Sequence, residues 1–597
     1  MTTEDSEASE RLDELNANLA KIEELSQRLM VALSRRKPVD PSLNGPGNEV
    51  YMKAAAAYVA EMMQNPAKML EHQISYWGKT LKHYVEAQRA LAKGTLEAPP
   101  DSTPKDRRFA NPLWETHPFF NYLKQQYLLN SEAVSRAVSE MDNLDPADRR
   151  RVEYFTRQFI DLFAPSNFLG TNPDALTRAV ETDGRSLVQG LENLVRDIET
   201  SNGELLVSLS DRNAFVLGEN IATTKGSVVF RNHMLELIQY APTTEKAHKT
   251  PLLIFPPWIN KFYILDLKAQ NSLVKWIVDQ GFTLFIVSWV NPDPSYRDTG
   301  MDDYIRDGYL TAMDQVRQIT GEKKINVVGY CIAGTTLALT LAYLQKTGAK
   351  DINCATFFTT LTDFSEPGEV GVFLSDDFLD GIERQIEADG IMSRLFMGRT
   401  FSYLRSNDLV YQPAIRSYML GEAPPAFDLL FWNGDGTNLP GKMAVEYLRG
   451  LCQHNDFAGK GFPVLGHKVK LADVTLPICA IACETDHIAP WKSSYSGIRQ
   501  FGSADKTFIL SESGHIAGIV NPPSKGKYGH YMHDGPLEDA KDWKSGATFH
   551  KGSWWPVWIK WLAGRSGPMV KARQPGDSEH PELTPAPGNY VSQIPSD

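Results

Sequence analysis

From about residue 210 onward, short apolar runs rich in β-branched residues alternate with segments of helical periodicity. The apolar runs lie at residues 234–240, 251–255, 282–289, 325–328, 353–359, 477–483 and 507–510. Helical patterns separate several of them, as at 265–280 and 301–321. Strands that alternate with helices need right-handed crossovers and produce a mostly parallel sheet with helices on both faces. The sequence therefore predicts an α/β domain at 211–597.

The remainder of the chain predicts a second, mostly helical domain at 1–210. A chain of 597 residues is too long for one ordinary hydrophobic core, so two domains, or one large domain with insertions, are expected. Apolar residues recur at three- and four-residue steps from Leu12 to Leu33, which predicts a helix with one apolar stripe. That helix either packs within the protein or self-associates; docking to a partner or an apolar surface is the less favoured alternative.

Two stretches depart from the strand–helix rhythm of the α/β domain. Residues 361–470 carry few strand signals, and we interpret them as an insertion over one end of the sheet. Such insertions commonly serve as caps or lids. After about residue 565 the chain is rich in Pro, Gly and Ser, which predicts a loosely ordered tail.

Composition and charge exclude several classes of protein. A net charge of −12 argues against binding to nucleic acid, which requires a basic surface. The five cysteines show no metal-binding or redox spacing and favour a reducing, cytoplasmic compartment. The acidic start has no apolar segment typical of a signal peptide. The apolar stretch 325–344 is better explained as a buried strand, a turn and a buried helix than as a membrane span.

The strongest local motif is the sequence GYCIAG at residues 329–334. It follows an apolar strand run and precedes a helical one, which is the strand–turn–helix context of the nucleophile elbow in the α/β-hydrolase fold. Such an elbow exposes Cys331 at a helix N-terminus, where the helix dipole lowers a thiol pKa. Ala333 stands where the common box has glycine. The alternative is a buried, inert cysteine, which is the usual fate of a free thiol.

A cysteine nucleophile needs a base and an orienting carboxylate, in the chain order nucleophile, acid, histidine. Asp486 follows the apolar run at 477–483, and His515 follows the run at 507–510. Both therefore lie at the carboxyl ends of predicted strands, where α/β proteins build their sites. His487 is the nearest rival base, but it directly follows the acid, so its side chain should point elsewhere.

An oxyanion hole needs one N–H group from the residue after the nucleophile, which is Ile332. The second N–H group comes from the loop after an earlier strand. The run at 251–255 is followed by such a loop, and the amide of either Trp258 or Ile259 could donate. A plain structural turn is the alternative for that loop.

The choice of cysteine indicates the chemistry. A thiolate that exchanges with an acyl thioester forms another thioester at little net change in free energy, so the acyl group stays activated for attack by an alcohol. An ester on serine would lose that activation. The residues therefore favour acyl transfer from thioesters over hydrolysis, and they imply no metal or redox cofactor.

Together these segments resemble the polyhydroxyalkanoate synthases, in particular the class I form with one long type of subunit. The resemblance extends from about residue 90 to 565. Besides the cysteine box, it rests on ordered motifs: DRRF at 106–109, FLGTNP at 168–173, PPWINKFYILDL at 256–267, SWVNPD at 288–293, FWNGDGTNLP at 431–440, DHIAPW at 486–491 and GHIAGIVNP at 514–522.

The resemblance implies that Cys331 carries the growing chain, His515 acts as base and Asp486 orients His515 or activates the incoming 3-hydroxyl group. The substrate would be an (R)-3-hydroxyacyl-CoA, with 3-hydroxybutyryl-CoA favoured, and CoA would be released as the polyester grows. The family implies a homodimer on cytoplasmic granules, with granule-associated proteins as further partners and the domain at 1–210 serving association. Trp432, within the cap, is interpreted as structural. Ala333 and Trp258 depart from the commonest family pattern.

Two other classes of function compete with this interpretation. A thioesterase or related hydrolase of the same fold would pass the acyl group from Cys331 to water, although it would need neither the long N-terminal domain nor the insertion. A non-catalytic granule-associated protein would use the apolar helix from Leu12 to Leu33 alone. The complete set of Cys331, Asp486 and His515 argues against that second class.

Overall fold

The computed structural model describes residues 3–36, 40, 43, 48–64, 66–92, 105–141, 144–534 and 539–594. It divides into two compact units. The first comprises Met1–Asp211 and Arg399–Pro425, and the second comprises Arg212–Gly398 and Ala426–Asp597.

Within the described residues, the first unit is helical. Its helices are α1 (Thr3–Leu33), α2 (Asn48–Gln64), α3 (Pro66–Ala92), α4 (Leu113–Thr116), α5 (Pro118–Ser139), α6 (Pro146–Leu162), α7 (Pro173–Glu181) and α8 (Arg185–Thr200). Helix α1 packs against α8, and α5 packs against α3 and α6. The buried Asp197 carboxylate of α8 fixes the returning segment, because it accepts hydrogen bonds from the Ser208 amide at 2.9 Å and the Tyr418 hydroxyl at 2.7 Å.

The later helices belong to the second unit or to the segment that returns to the first. They are α9 (Leu273–Asp279), α10 (Met301–Asp303), α11 (Thr311–Thr320), α12 (Ile332–Thr347), α13 (Asp376–Asp389), α14 (Arg394–Leu404), α15 (Gln412–Ala414), α16 (Asp428–Asn433), α17 (Gly441–Val445), α18 (Trp491–Gln500), α19 (Ala540–Gly546) and α20 (Trp555–Ala563).

Among the residues that the structure describes, the strands all lie in the second unit. They are β1 (Gly226–Arg231), β2 (Leu235–Tyr240), β3 (Lys246–His248), β4 (Leu252–Phe255), β5 (Leu284–Trp289), β6 (Ile325–Tyr330), β7 (Ile352–Phe358), β8 (Ile391–Met392), β9 (Leu439–Pro440), β10 (Phe462–Val464), β11 (His467–Val469), β12 (Ile478–Cys483), β13 (Lys506–Ser511), β14 (His530–Met532), β15 (Thr548–His550), β16 (Met569–Lys571) and β17 (Thr584–Pro585).

One large sheet organises the second unit. Among the described residues its order is β15-β14-β13-β12-β7-β6-β4-β5-β2-β1-β17. The central strands from β13 to β5 run parallel, whereas the strands at both edges pair antiparallel. Strands β4, β5, β6 and β12 are buried along their whole length, as expected for parallel strands covered on both faces. The predicted α/β architecture with a helical N-terminal region is confirmed.

The sheet brings the carboxyl ends of its parallel strands to one edge, where the site is built. Strands β6 and β12 are both paired with β7, with Val328 opposite Thr356 and Cys479 opposite the same residue. Strand β13 lies beyond β12, with Ile481 opposite Ile509. The loops that follow β6, β12 and β13 therefore emerge at the same edge.

The structure differs from the predicted boundaries in two places. Residues 399–425, expected within the cap insertion at 361–470, group with the helical unit. The tail after residue 565, expected to be loosely ordered, is folded through residue 594: β16 pairs with β3, β17 pairs with β1, and Val591 is buried. A turn follows β17, in which the Gly588 amide donates to the Pro585 carbonyl at 3.0 Å.

Candidate active site

Cys331 is the residue between the end of β6 and the start of α12, and its backbone is strained. Its φ and ψ angles are 54° and −127°, a region that residues with a side chain rarely adopt. The Cys331 amide donates to the Phe358 carbonyl oxygen at 2.8 Å, which fixes the turn. Strain of this kind persists only where the surroundings impose it, and it concentrates at functional sites.

The small residues of the box are explained by close packing at the turn. A Cβ atom at Gly329 would lie 2.5 Å from the Gly334 Cα atom, and one at Gly334 would collide with the Thr360 side chain. Ala333 is fully buried without such a conflict, and its carbonyl oxygen accepts the Tyr309 hydroxyl at 2.8 Å. The elbow therefore requires glycine at 329 and 334, whereas position 333 accommodates a methyl group.

Asp486 and His515 lie on the loops that follow β12 and β13, and the structure brings them together. The His515 Nδ1 atom is 2.7 Å from Asp486 Oδ2. The other carboxylate oxygen, Oδ1, accepts the amides of Ile488 and Ala489, each at 2.8 Å. Both side chains are buried. The carboxylate is thus held by the backbone and can orient only the imidazole that it contacts, which is that of His515 rather than His487.

Cys331 completes this arrangement on the other side of His515. Burial by itself lowers the pKa of His515, but the charges of Asp486 and Cys331, together with the hydrogen bonds that the imidazole donates to both side chains, raise that pKa well above its usual value. The imidazole is therefore stabilised in its protonated form while it contacts the Cys331 sulfur.

The predicted oxyanion donors lie on both sides of the elbow. Ile332 is the first residue of α12, and N–H groups in the first turn of a helix have no intrahelical acceptor. Trp258 and Ile259 follow β4, which pairs with β6 so that Phe255 is opposite Gly329. The Trp258 indole N–H donates to Thr336 Oγ1 at 3.3 Å, one turn beyond Ile332. The loop at 256–261 therefore borders the elbow, and either of its two amides remains the predicted second donor.

Contacts from the segment that was expected to form the cap support this loop. The Thr437 hydroxyl donates to the Trp258 carbonyl at 2.8 Å, and the Thr437 amide donates to the Ile259 carbonyl at 3.1 Å. The indole of Trp432 is buried and donates to the Lys261 carbonyl at 2.7 Å. Trp432 therefore contacts the loop as a packing and hydrogen-bonding residue.

Two residues beside the site have no signal in the sequence patterns. Tyr330, the last residue of β6, is fully buried against His515. Lys261 is 3% exposed despite its charge. In an apolar strand run, the sequence does not show which residue will pack against a histidine. A lysine in a loop is ordinarily solvated. The packing of Tyr330 and the burial of Lys261 are therefore seen only in the folded structure.

The chain matches two family sequence models and several known proteins. A family sequence model described as "Poly-beta-hydroxybutyrate polymerase (PhaC) N-terminus" matches residues 105–277, and one described as "alpha/beta hydrolase fold" matches residues 251–522. The "Poly(3-hydroxyalkanoate) polymerase" of Methylorubrum extorquens is 41% identical over 94% of this chain and 94% of its own length. The chain belongs to the poly(3-hydroxyalkanoate) polymerase family.

Other members of this polymerase family match over a similar extent. The "Poly(3-hydroxyalkanoate) polymerase subunit PhaC" of Rhizobium meliloti (strain 1021) is 39% identical over 89% of this chain and 86% of its own length. The protein of the same name from Cupriavidus necator is 38% identical over 88% of each chain. The resemblance to the polyhydroxyalkanoate synthases is thereby confirmed, and the chain is an enzyme of the α/β-hydrolase fold. None of the helices in its described part has the length and hydropathy of a bilayer-spanning segment.

Proposed function

We propose that this enzyme polymerises (R)-3-hydroxyacyl-CoA into polyhydroxyalkanoate with release of CoA, and that the growing chain is carried as a thioester on Cys331. The observation that carries the proposal is the placement of a strained cysteine at the elbow against a histidine that a buried aspartate orients. Membership of the polymerase family supports the transfer of the acyl group to an alcohol rather than to water.

In the acylation step, His515 holds the proton that leaves the Cys331 thiol, and the thiolate attacks the thioester carbonyl carbon of the substrate. The oxyanion that forms accepts N–H groups from Ile332 and from Trp258 or Ile259. When the C–S bond to CoA breaks, His515 returns its proton to the departing CoA sulfur. The products are free CoA and an acyl thioester on Cys331.

In the elongation step, the 3-hydroxyl group of one acyl unit attacks the thioester carbonyl of another. His515 removes the hydroxyl proton, the new ester bond forms, and the thiolate that leaves recovers the proton from His515. Asp486 acts in this proposal by orienting His515 and stabilising its charge, because its second oxygen is occupied by two backbone amides. Cysteine keeps the chain activated between additions, since a thioester is a better acyl donor than an ester.

We place the enzyme as a homodimer at polymer granules in the cytoplasm, in contact with the growing polyester and granule-associated proteins. The family resemblance supports this placement. The helical unit is the proposed region of association, and α3 supports that role because one side of it exposes Ile74, Trp77 and Leu81 by 63%, 66% and 62%. Contiguous exposed apolar residues are typical of surfaces that associate.

The test compares the wild type with Cys331→Ala on (R)-3-hydroxybutyryl-CoA, with thiol release and precipitable polymer followed together. We expect both products from the wild type and neither from the variant. Thiol release without polymer would instead establish a thioesterase. Unchanged turnover in Cys331→Ala would remove that residue from the mechanism.

A further inference from the structure

Lys261 is a buried lysine at the end of the loop that follows β4. Its ammonium group donates to two backbone carbonyl oxygens of the C-terminal segment, those of Gln593 at 3.1 Å and Tyr590 at 3.5 Å. Burial lowers the pKa of Lys261, which the charge of Asp435 partly offsets. A buried charge is costly unless it is hydrogen-bonded, so these two carbonyl groups are needed to hold the side chain in place.

The C-terminal segment is itself fixed by a second buried charge. The Glu236 carboxylate accepts the amides of Asn589 at 2.8 Å and Tyr590 at 2.9 Å, and Arg231 donates to it at 2.7 Å. A Cβ atom at Gly588 would collide with the same carboxylate. The segment therefore approaches Glu236 closely and cannot slide without leaving that carboxylate short of partners.

The same loop carries the amides that are proposed to stabilise the oxyanion. Lys261 is three residues after Trp258 and two after Ile259, and its own carbonyl accepts the Trp432 indole. The side chain of Asn291, after β5, also donates to the Gln593 carbonyl at 3.2 Å. The Gln593 carbonyl thus accepts hydrogen bonds from residues that follow two neighbouring strands, β4 and β5. Lys261 is held both by its backbone carbonyl and by its side-chain ammonium group.

We propose that Lys261 is a positioning residue for the oxyanion loop and that it acts through the carbonyl groups of Tyr590 and Gln593. Without this contact the loop loses its side-chain attachment at Lys261 and keeps those to Thr437 and Trp432, so the Trp258 and Ile259 amides are oriented less rigidly. Cys331, His515 and Asp486 keep their positions. A donor that is misplaced by about 1 Å stabilises the oxyanion poorly, and such misplacement costs about a hundredfold in rate. This inference rests on the proposed acyl transfer at Cys331.

The test uses Lys261→Met, which keeps the length of the side chain and removes its donors, with Lys470→Met at an exposed lysine of the same unit as the matched control. We expect Lys261→Met to lower kcat for CoA release by about tenfold or more, with KM changed by less than about threefold. Lys261→Arg, which retains charge and donors, should recover most of the loss. Lys470→Met should match the wild type.

Alkylation of Cys331 by iodoacetamide separates positioning from general damage. That reaction uses the thiolate and His515 but forms no oxyanion, so its rate in Lys261→Met should stay within about twofold of the wild type. If alkylation falls as far as turnover, the proposal is overturned, because the whole site has then been disturbed. Turnover of Lys261→Met within about threefold of the wild type overturns it equally.

A chain that ends after Gly588 is the second variant, because it lacks the two carbonyl groups that Lys261 contacts. It tests the proposal by itself if Lys261→Met does not fold. It should lower kcat by about tenfold or more and retain alkylation. Adding Lys261→Met to it should lower kcat by no more than about twofold further, because the truncation has already removed the contact that the Lys261 side chain makes. If the fold-decrease in kcat of the double variant equals the product of the two single decreases, the two changes act independently and the proposal is overturned. A wild type without turnover would instead contradict the proposed function, so the two failures are distinguishable.

Discussion

The aromatic ring of Tyr330 stacks on the imidazole of His515, with ring centroids 6.0 Å apart and an angle of 27° between the planes. Tyr330 is also the residue immediately before Cys331, so one side chain of the elbow packs against the base that serves the next residue. Phe358 also packs edge-on against Tyr330, with ring centroids 6.2 Å apart. The position of the imidazole is thus set by Asp486 at one ring nitrogen and by Tyr330 on one face.

Replacing Tyr330 tests this contact. Tyr330→Ala should lower the free energy of unfolding by about 3–5 kcal/mol, since it empties a fully buried aromatic position. It should also slow CoA release by about tenfold or more, because the imidazole is no longer fixed. Tyr330→Phe is the control: it keeps the stack and removes only a 3.5 Å hydrogen bond to the His515 carbonyl, so its rate should stay within about twofold. Denaturant unfolding and initial rates check both variants. Equal losses in the two would assign the effect to the hydroxyl group.

Asp486→Asn should change how stability depends on pH. Asp486 and Cys331 raise the pKa of His515 in the folded protein, so the protonated imidazole stabilises the fold. That contribution is fully present below about pH 6.5, the unfolded value, and is lost as the pH rises through the folded-state pKa. The difference in Tm between the wild type and Asp486→Asn should therefore be largest at the acidic end of that window and shrink towards alkaline pH. A constant difference across the window would contradict the assigned charge interaction.

Ala333→Gly tests the departure from the common box. The methyl group is buried at the start of α12 without a conflict, and glycine adds backbone freedom there. We expect the free energy of unfolding to fall by about 1 kcal/mol, while CoA release stays within about threefold of the wild type. Thermal unfolding and initial rates measure the two effects. A large rise in rate would mean that the methyl group hinders the elbow.

Gly334→Ala should disable the elbow, because the new methyl group would collide with Thr360. Gly398 in α14 is the matched control, since nothing lies within 4 Å of a Cβ atom there. Gly398→Ala should therefore raise the free energy of unfolding by about 0.5–1 kcal/mol and leave activity intact. Gly334→Ala should lose both stability and CoA release. A Gly334→Ala variant as stable as the wild type would show that Thr360 can move aside.

Much of the site could be predicted from the sequence because its parts are local. One short segment of the sequence contains the whole strand–turn–helix around Cys331. Asp486 and His515 each follow an apolar run that forms a strand. The pairing of His515 with Asp486 was predicted from the chain order together with the position of both residues at strand ends.

The remaining features could not be predicted, because they depend on contacts between distant segments. The tail was expected to be loose from its Pro and Gly content, yet single buried charges at Glu236 and Lys261 fix it, and neither is unusual in its local sequence. The return of residues 399–425 to the helical unit depends on contacts such as that between Tyr418 and Asp197. No periodicity encodes such pairings.

The strand order of the sheet also determines at which stage of folding the enzyme becomes active. Strand β6, which presents Cys331, is separated from β13, which leads to His515, by β7 and β12. Tyr330 and His515 meet although 185 positions separate them in the chain. Contacts of such long sequence range form late and slowly in folding. Recovery of activity during refolding should therefore follow completion of the parallel strands, so that turnover serves as a reporter of the last long-range step.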